Sequence, residues 1–220
     1  QIAPGWAQDG VPLVIAPYDQ DRVNIALDGQ GGAFFVWDDQ RDGFNIYDVF
    51  AQRLTSAGQI APGWPSNGKR LCSFPSQKGA SLVLADGHGG VLVTWTDTRF
   101  SSTLGSTFAC RYNAAGDVEA GWPQDGLDLA DLRVNTGLIS DGQGGAFVGM
   151  RVHIFSGIYL GFDAGYFTTR FNGDGTLAPG FAVNGTVVCN AANGRGGLRM
   201  APDGLGGAYF CWSDLRVSQF

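Results

Sequence analysis

The stretch DGQGGAFFVWDDQR, running from Asp28 to Arg41, decides the fold. It opens with a turn signal, Asp-Gly-x-Gly-Gly, whose glycines permit the positive φ of a tight reversal. It continues into a short apolar run, Ala33–Trp37, of strand length and apolar on both faces. The same pattern returns at comparable intervals as DGHGGVLVTWTDTR from Asp86, DGQGGAFVGMRVHI from Asp141 and DGLGGAYFCWSDLR from Asp203.

The flanks repeat in step. QIAPGW occurs at Gln1–Trp6 and again at Gln59–Trp64, followed by AGW at Ala120–Trp122 and APGF at Ala178–Phe181. The closing aromatics Trp6, Trp64, Trp122 and Phe181 keep a nearly constant spacing. A third element reads Phe50-Ala-Gln-Arg-Leu, Phe108-Ala-Cys-Arg-Tyr and Phe167-Thr-Thr-Arg-Phe. Each unit therefore predicts four strands, in the first copy Val23–Leu27, Ala33–Trp37, Asp48–Leu54 and about Lys69–Phe74. Four strands in about 58 residues, repeated in tandem, predict an all-β protein of four-stranded antiparallel β-propeller blades. A β-sandwich has strands at similar density but does not repeat so faithfully. The units fall at 1–15 (partial), 16–74, 75–132, 133–190 and 191–220 (partial), in a single propeller region over 1–220. Gln1 lies inside a repeat, so the expectation is a mature or excised segment of a larger propeller. A closed four-bladed ring and self-association of two copies are the alternatives.

Composition agrees. Glycine supplies 35 of 220 residues, against an average of about 7%. Aromatic residues make up 12% and hydrophobic residues 44%, too much for a disordered chain. Glycine does not recur every third residue, which excludes collagen. No apolar run approaches the roughly 18 residues of a membrane-spanning helix. The formal net charge is −6 and no Lys/Arg cluster is present, so neither nucleic acid nor an anionic membrane surface is an expected partner. Cys72, Cys110, Cys189 and Cys211 lack C-x-x-C spacing, and only His88 and His153 could assist a metal, so no metal or cofactor is expected. Buried thiols and one or two disulfides both remain open at this stage.

W-x-D-x-R is the sharpest chemical pattern: Trp37-Asp39-Arg41, Trp95-Asp97-Arg99 and Trp212-Asp214-Arg216. Alternation puts the three side chains of each copy on one strand face. A ligand pocket per blade is one reading, since aromatic platform, acid and base suit a sugar. The preferred reading is structural: a bridged Asp–Arg pair, with tryptophan packing the blade interface. The D-G-x-G-G aspartates are expected to bind backbone amides in their turns. Asp38, Asp39 and Asp42 read as a solvated acidic loop. Asn172-Gly-Asp-Gly-Thr176 resembles part of a calcium loop but lacks its other carboxylates, and it aligns with plain turns in the other units.

The third unit departs from the pattern. The stretch from Asp141 to Arg170 is longer than its counterparts, Asp28 to Arg53 and Asp86 to Arg111, and Met150 replaces the tryptophan. His153, Phe155, Tyr159, Asp163 and Tyr166 fall in this segment and are the candidate ligand-binding residues. No catalytic residues are assigned. There is no G-x-S-x-G elbow, no H-E-x-x-H and no S-x-D-x-G-x-T-W box of the sialidase type.

The succession D-G-x-G-G-A-x-x-x-W-x-D-x-R, a Y/F-A-Q-R-L strand and a G-W-x-x-x-G segment resembles the tandem propeller repeats of large secreted bacterial surface proteins. The resemblance implies an extracellular or cell-surface location, a protein or glycan partner there, and a non-enzymatic adhesion or assembly role. A glycan-binding propeller and a hydrolase with its active site at the central channel are the alternatives.

Overall fold

The computed structural model describes residues 2, 4–101, 104–154, 162–190 and 195–214. Among these residues there are only strands, and no helix long and apolar enough to cross a membrane. Three four-stranded sheets follow one another: β1 (Gln20–Leu27) to β4 (Lys69–Arg70), β5 (Lys78–Ala85) to β8 (Leu127–Ala130), and β9 (Val134–Ser140) to β12 (Thr186–Cys189). Their middle strands are β2 (Ala33–Asp39) with β3 (Asp48–Leu54), β6 (Val91–Asp97) with β7 (Ser106–Tyr112), and β10 (Ala146–Ile154) with β11 (Phe162–Phe171). In each sheet the strands lie side by side in chain order. A two-stranded sheet, β13 (Arg195–Pro202) with β14 (Ala208–Asp214), completes the described chain. The chain forms two compact units, Gln1–Trp95 with Ala109–Leu127, and Thr96–Phe108 with Asp128–Phe220.

The D-G-x-G-G turn joins the first and second strands of every sheet. Asp28 N donates to Gly32 O, and Gly29 and Gly31 have φ of 73° and 86°. Gly32 is required for a different reason: a Cβ there would overlap the Leu54 carbonyl oxygen of β3. Gly90 and Gly145 stand in the same relation to Tyr112 and Phe171. One motif thus sets both the reversal and the close approach of the third strand.

Strand β3 has the bounds its sequence predicts, whereas β4 stops at Arg70 and not at Phe74. The amides of Ser73 and Phe74 turn away to donate to Asp125 Oδ1, at 3.0 and 3.1 Å. The added residues of the third unit lengthen its central hairpin. β10 and β11 have 9 and 10 residues against 7 and 7 in the first sheet, with a register shift between Val152 and His153.

Successive repeats are locked by the G-W tryptophan. Trp6 donates its indole N–H to Ser56 O at 3.0 Å and lies over Gly58. Trp64 donates to Ala114 O at 3.0 Å and lies over Gly116. Each tryptophan therefore sits on the A-G turn of the following repeat. Gly58 has φ of 72°, and a Cβ there would lie 2.8 Å from Trp6. In the second unit, β13 packs against β9 and β11. Met200 lies against Gly137 and Gly149, which leave room for its thioether.

Candidate functional site

The turn aspartates are consumed by their own sheets. Asp28 Oδ1 accepts from the amides of Gln30 and Gly32, both at 2.8 Å, and Oδ2 accepts from Arg53 at 2.8 and 3.1 Å. Asp86 with Arg111 and Asp141 with Arg170 repeat the arrangement. Burial alone would raise the pKa of each aspartate. The arginine and the two amides outweigh it and hold all three below the ordinary 3.8.

The W-x-D-x-R residues form a second clamp. Trp37 donates to Asp39 Oδ2 at 2.7 Å, and Arg41 closes on both oxygens of Asp39, from Nε at 2.9 Å and Nη2 at 2.6 Å. Arg41 also donates to Asn67 O and stacks 3.8 Å from the Phe50 ring centroid. In the second sheet Arg99 pairs with the fully buried Asp97 at 2.7 Å and stacks 3.8 Å from Phe108. The tryptophans pack on their own sheets, Trp37 against Gly68 and Trp95 against Gly126. Trp212 donates to Asp214 at 3.3 Å, and Arg216 lies outside the described residues.

The acidic cluster at Asp38–Asp42 is not a solvated loop. Asp38 and Asp39 are buried. Asp38 reaches the next sheet, accepting from Ala80 N and Ser81 Oγ, both at 2.8 Å. Asp42 pairs with Arg70, which also pairs with Asp48. Asp48 holds the buried Lys78 at 2.7 Å, and Lys78 Nζ donates further to Phe74 O and Ser76 O, at 2.5 and 3.0 Å. The sequence signals none of this, because Lys78 and Asp48 are far apart in the chain and neither belongs to a repeated motif.

These opposed environments give the acid limb of stability a definite shape. Asp28, Asp39, Asp86 and Asp141 have lowered folded values, so the stability they add above the unfolded value is lost as pH falls through the folded one. Burial raises Asp38 and Asp48, so their cost is relieved as pH falls through their folded values. Asp125 is lowered as well and Asp128 raised, so the lowered groups still outnumber the raised ones, which predicts a net loss of stability below about pH 4. Arg53→Gln removes the chief partner of Asp28 and should flatten that loss. Urea midpoints measured from roughly pH 5 to pH 2 check this; parallel curves for the two proteins would contradict it.

The candidates of the third unit are placed unevenly. Tyr166 is fully buried and its ring lies 6.1 Å from that of Trp212, so it faces a neighbouring sheet and not solvent. His153 and Asp163 occupy opposing register positions on β10 and β11. Phe155 and Tyr159 lie outside the described residues. Met150 is buried in the place of the tryptophans, over Gly185 as Trp37 is over Gly68. Asp174 caps its own turn, accepting from Thr176 N and Oγ1 at 2.9 and 2.7 Å. No group of three or more metal-ligating side chains gathers among the described residues. All four cysteines are free thiols; Cys72 and Cys110 are buried, and burial pushes Cys110 up to about 12.

One open cavity of about 340 Å³ is bounded by Phe100, Asp128, Asp131 and Leu132. It escaped the sequence reading because no motif contains these residues.

No family model matches the chain, and no curated protein matches it. Solved structures do. A Hadza microbial sialidase, Hz136, superposes with a TM-score of 0.50 at 11% identity, over 70% of this chain and 35% of that one. The chain thus spans about a third of that sialidase's length. At this identity the likeness concerns the fold.

Proposed function

We propose that the repeats are blades of an extracellular β-propeller that serves as a non-enzymatic interaction module, for adhesion or assembly with protein partners. The observation that carries this reading is the engagement of the repeated acids and bases inside the protein. Asp28, Asp39, Asp86, Asp97 and Asp141 each hold an arginine, and most also cap a backbone turn. Groups so engaged are poor candidates for general acid–base work, which needs a carboxyl or imidazole facing a substrate. The likeness to a sialidase supports the propeller architecture alone.

The test has three arms on the purified chain: protein capture from surface extracts followed by mass spectrometry, a glycan array, and hydrolysis of a fluorogenic sialoside. The reading expects a saturable protein partner, a blank array and no hydrolysis. Array hits that compete with capture would replace it with a glycan-binding propeller, and sialoside turnover would replace it with an enzyme.

A further inference from the structure

The cavity at Phe100 gains meaning when the first and second sheets are compared in repeat register. The shift that carries Asp28 onto Asp86 also carries Asp42 onto Phe100, Asp48 onto Ser106 and Arg70 onto Asp128. In the first sheet these positions form a closed charge group: Arg70 pairs with both Asp42 and Asp48 and lies 5.2 Å from the Phe50 ring centroid. In the second sheet the arginine has become an aspartate and both acids are gone. An acid stands where the cation stood, beside an open cavity.

The cavity belongs wholly to the second compact unit. Phe100 is 58% exposed and Leu132 is 46% exposed, giving it an apolar wall. Asp128 Oδ1 is shielded from solvent and has no hydrogen-bond partner. Asp131 accompanies it, its main chain fixed by the bond from its amide to Asn184 Oδ1 at 2.7 Å. Arg99 is already clamped to Asp97 and stacked on Phe108, and Arg133, two residues beyond Asp131, donates to Asp131 O and lies 4.2 Å from the Phe167 ring centroid. Burial first, and then the charge of Asp131, raise the Asp128 pKa over the opposing Ala130 amide and Arg99 charge, so the carboxylate keeps a cost that a further cation would relieve.

We propose that this cavity receives an arginine side chain of a protein partner, its guanidinium between Asp128 and Asp131 and its stem across Phe100 and Leu132. The volume lies at the lower end of pockets that hold small ligands, roughly 300–1,000 Å³. Arginine fits the lining better than other occupants. Its planar fork suits carboxylates and stacks on an aromatic face. Calcium takes about 6–8 oxygen ligands, and half of the described lining is apolar. A sugar needs donors as well as acceptors, and among the described lining only the two carboxylates hydrogen-bond, as acceptors. The net charge of −6 favours a basic partner. The proposal deepens the interaction-module reading by naming the group that a partner presents.

The experiment uses N-acetyl-arginine amide as probe, with the neutral N-acetyl-citrulline amide as control, followed by amide NMR shifts of the chain. Arginine amide is expected to bind at about millimolar concentration, shifting the amides around Phe100 and Leu132, while citrulline amide binds at least roughly fivefold more weakly. Asp128→Asn should weaken arginine binding roughly fivefold or more. Phe100→Ala, an exposed change that leaves the fold alone, should weaken it roughly twofold to fivefold. Equal binding of the two probes, no binding of either, or calcium binding that Asp128→Asn abolishes would each overturn the proposal. Protein capture that persists without arginine binding would leave the module reading standing and this site refuted.

Discussion

Replacing Lys78 by methionine is expected to destabilise the protein by about 3–5 kcal/mol, the usual cost of removing one partner of a buried ion pair. The lysine is 3% exposed, and its three donors go to Asp48 Oδ1, Phe74 O and Ser76 O. Methionine fills the channel of the aliphatic stem but leaves two carbonyls and a carboxylate unmatched. Arg70 still reaches Asp48, and the already raised Asp48 can take up a proton, which limits the loss. Adding Asp48→Asn should therefore restore part of the stability, making the double change cheaper than the sum of the two single ones. Chemical denaturation of the four proteins in the cycle measures this. Additive losses would show that the pair is not coupled.

The second large effect is expected at Trp37. Its ring is 2% exposed, lies against Gly68, stacks on Phe50 at 6.3 Å and donates to Asp39. Trp37→Ala should cost about 3–5 kcal/mol, because the lost transfer energy adds to a cavity that the sheet cannot close. Trp37→Met should cost roughly half as much. The third sheet supports this: buried Met150 occupies the equivalent position over Gly185. Equal losses for alanine and methionine would mean that the indole N–H, and not the volume of the ring, carries the effect.

What could be read from the sequence follows a physical division. Strands β2 and β3 were legible because their apolar runs are bracketed by turn glycines whose φ and close contacts admit no other residue, as at Gly31 and Gly32. The Asp39–Arg41 pairing was legible because alternate positions on a strand put both side chains on one face. The role of the tryptophan was less so. Trp37 was expected at a blade interface and lies on its own sheet, while Trp6 and Trp64 of the G-W segments make the contact to the next repeat. Long-range matches were not legible at all. Asp38 to Ser81, Asp48 to Lys78 and Asp125 to Ser73 join residues far apart in the chain that no motif marks. The Phe100 cavity left one usable trace, the reversal of charge from Arg70 to Asp128 at the same place in the repeat. The third unit attracted attention for its aromatics, yet Tyr166 proves to be core.

The central claim is that the repeated acid–base motif holds each sheet together and is not held ready for a ligand. Its most direct test is urea unfolding of the Asp97→Asn protein. Asp97 is fully buried and accepts from both the amide and the guanidinium of Arg99, at 2.8 and 2.7 Å. Asparagine keeps the shape and removes the charge, so the unfolding free energy should fall by about 2 kcal/mol with an unchanged denaturant slope. A protein as stable as the parent, or more stable, would contradict the claim and mark Asp97 as a residue kept for function at the expense of stability.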